Sequence, residues 1–351
     1  MELKRNPFCR LGIIKEIELC SLYSLGFSTW MLSRFYKTSQ WSQCNATHKY
    51  RKLGIVEKIR NNEESTRSRY SLEGKATIIP SFPASDLIPN VIEKGFNKHL
   101  DCLICVMLLT DGTALPNHIQ MTNDCEIMHK VFFDLMFCKF GITPTSFRKT
   151  KRKNQTTYVR KEITGIFKKL NKFTASFKTS PLNGQSADEY LLEPQPSLDF
   201  LLKSPKEIQI EAFRLGMCAE GSITPTIQKN YLNKNYVRGV LEFACAHPNL
   251  AEQWLEITKN IGFSGFHITK NKERWSGIHG IRSDSKKDLE DFFNLGGFLN
   301  GAKVGRGSPY YSGLDKQEVL TSLLKFMKIN KTVDSLKELH SNIRYLAENS
   351  K

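Results

Sequence analysis

Two stretches of the chain are apolar at almost every position and then stop on an acid followed by glycine: ICVMLLTDG, Ile104 to Gly112, and FRLGMCAEG, Phe213 to Gly221. Neither alternates as a half-buried strand does, and with the residues ahead of them both read as buried helices ended by glycine. The first is predicted to begin near Asn97 and to run through HLDCLICVMLLT. The second begins at Ser204, where S-P-K-E reads as a capping box with Pro205 at the first helical position and Glu207 reaching back to the cap. Behind the first helix, TAL, a PN turn and HIQMTN read as a short hairpin, followed by the helix DCEIMHKVFFDLMFCKFG closed by Gly141. TPTSFRKTKRKNQTTYVRK reads as a second hairpin and EITGIFKKLNKF as a helix. After the linker TSPLNGQSADEYLLEPQPS the order recurs: SITPTIQKN with NYVRGVLEFACAH, then PNLAEQWLEITKNIG, then FSGFHITKNKERW with SGIHGIRSD, then SKKDLEDFFNLGGF. The fold class is therefore α+β, with helix, hairpin, helix, hairpin, helix occurring twice as a divergent duplication. Its first hairpin is shorter in the first copy. DKQEVLTSLLKFMKIN and TVDSLKELHSNIRYLAEN add two amphipathic helices.

The N-terminal pattern is different in kind. Residues 1–60 read as a small all-α helix-turn-helix domain, with helices ended at Gly26 and Gly54 and Ser28 as an N-cap. Its third helix carries Gln40, Gln43, Asn45, Thr47, His48, Lys49 and Arg51, side chains suited to a DNA groove. Residues 61–96 hold charge runs and prolines with little periodicity and read as a linker. The first repeat then spans 97–200, and the second, with the C-terminal helices, spans 201–351.

Charge sharpens this picture. The formal net charge is +16, and from Arg148 to Lys178 there are eleven Lys or Arg against the single acid Glu162. An excess of that size attracts polyanions, so nucleic acid is the expected partner. No run of the sequence is apolar for the ~18–20 residues of a membrane span, and the N-terminus lacks the pattern of a secretory signal. The nine cysteines are irregularly spaced. Cys102 and Cys105 form a CxxC with no second pair, which argues against structural zinc. The cysteines read as reduced thiols of a cytoplasmic, nucleoid-associated protein, or of an organellar one in a eukaryote.

An acid in the last turn of a helix is repelled by the carbonyl ends. A divalent cation shared between two such ends, bound by Asp111 and Glu220, would offset the repulsion, and hard oxygen donors with several waters suit magnesium. For both acids to reach one site the helices must lie side by side, and Ala212, Gly216 and Ala219 are the small residues expected on the contact face of the second.

ICVMLLTDG and FRLGMCAEG resemble the two motif copies of the LAGLIDADG homing endonucleases, in the monomeric form with both repeats on one chain. The resemblance covers about Asn97 to Leu324, although Val106 and Leu215 stand where the family usually has glycine or alanine. It implies two αββαββα repeats forming a saddle over double-stranded DNA. It also implies a magnesium- or manganese-dependent endonuclease whose metal acids are Asp111 and Glu220, acting in the mobility of an intron or intein. It places the polar, water-positioning residue at Asn123 in the first repeat and His247 in the second, and a catalytic lysine at Lys303, with Lys172 as the first-repeat counterpart. The saddle hairpins would bring Arg148, Lys149, Lys151, Arg152, Lys153, Lys229, Lys234, Arg238, Lys270, Lys272 and Arg274 to DNA, with Gln43, His48, Lys49 and Arg51 added by the N-terminal domain. Tyr158 and Tyr236 are expected to pack within strands. Two other readings fit the same resemblance: a non-cleaving transcriptional regulator, as in bacterial sporulation regulators that join this fold to a helix-turn-helix, and an RNA maturase for intron splicing.

Overall fold

The computed structural model describes residues 99–142, 144–149, 154–159, 161–229, 234–329 and 332–349. The expected helix-turn-helix with Gln43, His48, Lys49 and Arg51, the linker to residue 96, and Lys151, Arg152 and Lys153 lie outside them. The elements below belong to one compact unit, except for the end of the second helix from Met136 onward.

The first repeat consists of α1 (Leu100–Thr110), β1 (Gly112–Leu115), β2 (His118–Asn123), α2 (Glu126–Phe140), β3 (Ser146–Lys149), β4 (Asn154–Tyr158) and α3 (Glu162–Leu170). Two short helices follow, α4 (Ala187–Leu191) and α5 (Asp199–Leu202). The second repeat consists of α6 (Lys206–Ala219), β5 (Gly221–Lys229), β6 (Asn235–Ala244), α7 (Pro248–Ile261), β7 (His267–Lys270), β8 (Ile278–Ser283) and α8 (Lys286–Asn294). The chain continues through α9 (Lys316–Ile329) and α10 (Leu336–Glu348). Each repeat folds one antiparallel sheet, and the strand orders correspond: β1-β2-β4-β3 and β5-β6-β8-β7. The predicted duplication is thus present in order and in pairing.

Alternation along the strands gives each sheet one apolar face. In the first sheet Ile119, Met121, Thr156 and Tyr158 are buried, and Phe132 of α2 meets Tyr158 edge to face at 5.8 Å. In the second, Ile223, Val237, Leu241 and Phe243 turn inward, and Phe213 of α6 lies at the centre of a ring cluster with Phe243, Trp254, Phe263, Phe266 and Phe292. A cluster of this kind combines large buried area with favourable edge-to-face contacts.

Three local expectations need correction. Ser204 is not a cap: Pro205 occupies the N-cap of α6 without a side-chain bond, and Ser204 Oγ donates instead to the Phe200 carbonyl at 2.8 Å. The capping box lies earlier, inside the expected linker, where Ser186 and Glu189 exchange side-chain and backbone bonds at the start of α4. Gly216 does not face the first helix. A Cβ there would come within 2.5 Å of Phe243 and 3.5 Å of Trp254, so this glycine admits the rings of its own repeat.

Candidate functional site

α1 and α6 pack against each other. Cys102 Sγ, near the start of α1, lies 3.6 Å from Ser204 Oγ just ahead of α6. At the other ends Lys316 interacts electrostatically with both Asp111 and Glu220. The helices therefore run side by side in the same direction, with Asp111 and Glu220 as their half-exposed C-caps. Both acids sit at the negative ends of helix dipoles, so each needs a compensating partner.

At the Asp111 end one partner is an amide. Asn123, the last residue of β2, donates from Nδ2 to Asp111 Oδ2 at 2.6 Å. Its Oδ1 accepts from the Cys125 backbone N–H at 2.6 Å, which fixes which way the amide faces. Behind it, buried His129 of α2 bonds the Asn123 carbonyl through Nε2 at 2.8 Å and Thr156 Oγ1 through Nδ1 at 2.7 Å. Since a carbonyl can only accept, Nε2 carries the proton and Nδ1 accepts from the threonine. Burial holds this imidazole below the ordinary histidine pKa, which keeps it neutral for the purpose.

The Glu220 end is built differently. In the first repeat Thr122 N–H donates to the Asp111 carbonyl, and in the second Ala244 N–H donates to the Glu220 carbonyl, so the registers match and Cys245 is the counterpart of Asn123. The expectation for His247 is corrected on this point: it lies two residues further on, as the N-cap of α7, where Nδ1 accepts from Leu250 N–H. Its Nε2 meets Gln195 Oε1 at 2.9 Å, and burial pulls its pKa down to about 4. Cys245 carries a thiol pushed up to about 12, by burial first and by the charge of Glu220 among lesser causes.

Lys303 is on the opposite half from the one its sequence position suggests. Its backbone N–H donates to Cys125 Sγ at 3.4 Å, and Cys125 Sγ donates to the Gly301 carbonyl at 3.2 Å. The loop behind α8 therefore lies against the first repeat, two residues from Asn123. The half-exposed Lys303 ammonium stands 3.8 Å from Asp315 Oδ2. Lys172 is exposed just beyond α3. Lys178, in the same connection, bonds Gln185 and Glu193 and lies over the Tyr190 ring, which in turn meets His247 edge to face at 6.0 Å.

Sequence periodicity gave no sign of Lys316. It opens an amphipathic helix, where a lysine ordinarily points to water, yet it is 6% exposed and its Nζ donates to the carbonyls of Cys218 at 2.8 Å, Gly221 at 2.7 Å and Met217 at 3.3 Å. These carbonyls belong to the last turn of α6 and the residue after Glu220. Burial lowers the pKa of Lys316, while nearby thiols and the two seam carboxylates oppose that shift.

The donor set fits a magnesium-like ion. Two carboxylates at adjacent helix ends leave most positions to water and to a substrate phosphate, which is how Mg²⁺ is usually held. Among the described residues no three His, Cys, Asp or Glu converge to form a closed cage. No helix among them is long and apolar enough to cross a membrane.

The outer face of each sheet is polar. In the first, Thr122, Gln155 and Arg148 form one cross-strand row and Thr113, Gln120, Thr157 and Ser146 the next. In the second, Ser222, Glu242, Arg282 and His267 form a row, and Arg238 pairs with Asp284 at 3.0 Å. Arg148, Lys229, Lys234, Lys270, Lys272 and Arg274 are exposed at strand ends and turns, as a phosphate-contacting role requires. Lys149 is the last residue of β3. Tyr158 is buried in the strand as expected, whereas Tyr236 is 37% exposed beside Gln228 on the outer face.

No family model and no curated protein matches the chain. Solved structures do. The LAGLIDADG meganuclease I-AabMI bound to uncleaved DNA is 12% identical, with a TM-score of 0.44, over 72% of this chain and 99% of that one. Meganuclease I-SmaMI bound to uncleaveable DNA is 13% identical at a TM-score of 0.44, over 72% of this chain and 100% of that one. Full-length DUF199/WhiA from Thermatoga maritima is 12% identical at a TM-score of 0.38, over 72% of this chain and 67% of that one. The described elements have the α+β order and the paired acid-tipped helices that the LAGLIDADG resemblance implies.

Proposed function

We propose that the protein is a site-specific endonuclease of double-stranded DNA that uses Mg²⁺ or Mn²⁺ held by Asp111 and Glu220. One arrangement carries this reading: two acid-tipped helices lie side by side, and one carboxylate is oriented by the amide of Asn123. A divalent ion bound there would supply Lewis-acid stabilisation of a phosphodiester oxygen and lower the pKa of attacking water. The chain's own residues do the rest. Asn123 holds the Asp111 carboxylate, His129 holds Asn123, and the Lys303 loop stands next to that end as a source of positive charge toward a phosphate. The polar outer faces supply Gln, Thr, Ser and Arg side chains of the kinds that hydrogen-bond base edges, with lysines at their margins for the backbone. The two faces differ in sequence, so the site read would be asymmetric, and a single chain would suffice to bind it.

The test is incubation of the full chain with magnesium and a duplex library drawn from the flanks of its own gene. Cleavage that is lost in Asp111→Asn and Glu220→Gln while binding persists supports the reading. Tight, specific binding with no strand break under magnesium or manganese refutes it. That outcome would establish a second reading, a non-cleaving DNA-binding regulator, which one observation favours: the Glu220 end has a thiol, Cys245, where the other end has an amide. Preference for structured RNA over duplex in the same binding assay would point to the maturase reading.

A further inference from the structure

We infer that the C-terminal helix α10 clamps the loop that carries Lys303, and that His340 is the positioning residue through which it acts. This rests on the endonuclease reading, with Lys303 as its source of positive charge, and gives the helices beyond the second repeat a part in that reaction.

Between α8 and α9 the chain folds into a narrow arm. Lys303 and Asp315 bridge at its base, where Lys316 N–H also donates to the Ala302 carbonyl at 2.7 Å. Further out, Val304 N–H donates to the Leu314 carbonyl at 2.8 Å and Gly313 N–H to the Val304 carbonyl at 3.0 Å. The base is tied to the site in the first repeat: Lys303 N–H donates to Cys125 Sγ, and Cys125 N–H in turn holds the Asn123 amide that faces Asp111. A thiol sulfur is a weak acceptor, and the arm has little packing of its own. A Cβ at Gly305 or Gly307 would meet no atom within 4 Å. Ordering such a segment costs conformational entropy that contacts from elsewhere must offset.

α10 supplies such contacts at the outer end of the arm. Tyr311 is buried, and its hydroxyl lies 2.6 Å from Nδ1 of buried His340. Burial holds the imidazole below its ordinary pKa and the phenol above its own, so both are neutral and share one hydrogen bond. The Tyr310 ring stacks on the same imidazole with centroids 3.9 Å apart, and Arg344 Nη1 donates to the Tyr310 carbonyl at 2.8 Å. The helix is itself fixed. Leu339, Ile343 and Ala347 are buried where α10 packs on α9 and β5, Ser335 caps its start, and Val333 N–H just ahead of it donates to the Asn235 carbonyl at 3.1 Å. The arm is thus held at its base by Cys125 of the first repeat and at its outer end by His340, with Lys303 between them. Removing the His340 side chain should loosen the arm while leaving Asp111 and Glu220 in place.

The experiment compares amide hydrogen exchange, duplex binding and single-turnover cleavage in the full chain. His340→Ala is expected to raise exchange across residues 303–314 about tenfold, the loss of one hydrogen bond's worth of protection, while β1, β2 and β4 exchange as in wild type. It should slow cleavage by about the same factor and leave duplex affinity unchanged. In a chain that already carries Lys303→Ala, His340→Ala should slow cleavage no further, because both changes remove one contribution. Tyr311→Phe removes only the hydroxyl, and it decides in the same way if His340→Ala does not fold. Unchanged exchange in the arm overturns the inference, as does a rise spread equally over the first sheet. A rate loss that persists in full beside Lys303→Ala also overturns it, since His340 would then act other than through Lys303. Wild-type protein that cuts no duplex defeats the endonuclease reading instead, and the exchange measurement still decides whether α10 holds the arm.

Discussion

The two repeats have the same order of elements and the same sheet pairing, and they solve the problem of an acid at a helix C-terminus in different ways. The first repeat has the shorter sheet and gives its acid a neutral amide locked between Cys125 and His129. The second has the longer leading hairpin, an aromatic core centred on Phe213, a thiol opposite its acid, and a buried lysine beneath the helix end. A shared backbone plan does not require shared site chemistry. Packing and hydrogen-bond partners diverge once the register is fixed, because alternation decides which face a residue occupies but not what it bonds.

The largest way to sharpen the contrast is through the cores. Phe213→Ala should cost about 3–5 kcal/mol by loss of its ring contacts and the cavity left behind, measured by urea unfolding. The motif counterpart Ile104→Ala should cost less; an equal or larger loss would mean that the aromatic cluster is not what distinguishes the second repeat. Next come the acids. The several kcal/mol that a positioned divalent ion supplies correspond to roughly 10²- to 10³-fold in rate, so Asp111→Asn and Glu220→Gln should each lower single-turnover cleavage by that order. Loss of only one strand's cleavage in one variant would show the ends acting separately.

A smaller effect is expected at the strand ends. Asn123→Ala removes a charge-assisted bond of about 1.5–3 kcal/mol and should slow cleavage accordingly, whereas Cys245→Ala should change it little. A large loss in Cys245→Ala would erase the difference between the halves. A pH effect on stability, with no change in cleavage chemistry, comes last. The His247 pKa falls from 6.5 to about 4 on folding, so the unfolded chain binds more protons between those values and stability declines as pH falls through that window. Above pH 6.5 the contribution is complete. Thermal melts should show a steeper decline from pH 6.5 to 4 for wild type than for His247→Gln, and parallel curves would remove His247 as a titrating contributor.

Much of this was legible in the sequence, and the limits have physical reasons. Hydrophobic periodicity revealed the helices, the hairpins and the duplication, and the repeated acid-glycine ends located Asp111 and Glu220. The pointer to Asn123 comes from the family resemblance, which places a polar residue at the end of the second strand, and the structure sets that side chain against Asp111. His247 was placed two residues from the position that matters because its strand has no sharp polar end, so the register became visible only through the pairing of Gly221 with Phe243. Gly216 looked like a helix-contact residue because small residues carry no sign of direction, and a Cβ test against Phe243 was needed to orient it. Lys316 has no signal in the sequence, because burial of a lysine at the start of an amphipathic helix depends on carbonyls 95 to 99 residues away. Ser186 made the better cap because Glu189 can return its bond, whereas Pro205 leaves Ser204 turned toward Phe200.

The contact between Cys125 and Gly301 joins residues 176 positions apart, and it has a consequence for the order in which the molecule is assembled. During synthesis the first repeat can pair its strands and set Asn123 against Asp111 from local contacts. The loop that places Lys303 beside that end does not yet exist, because it leaves the ribosome after both sheets have been made. A chain that stops short of this loop would then lack the Gly301 and Lys303 contacts to Cys125 beside Asn123. Completion of that half therefore waits for the loop that carries Gly301 and Lys303, which is made after both sheets.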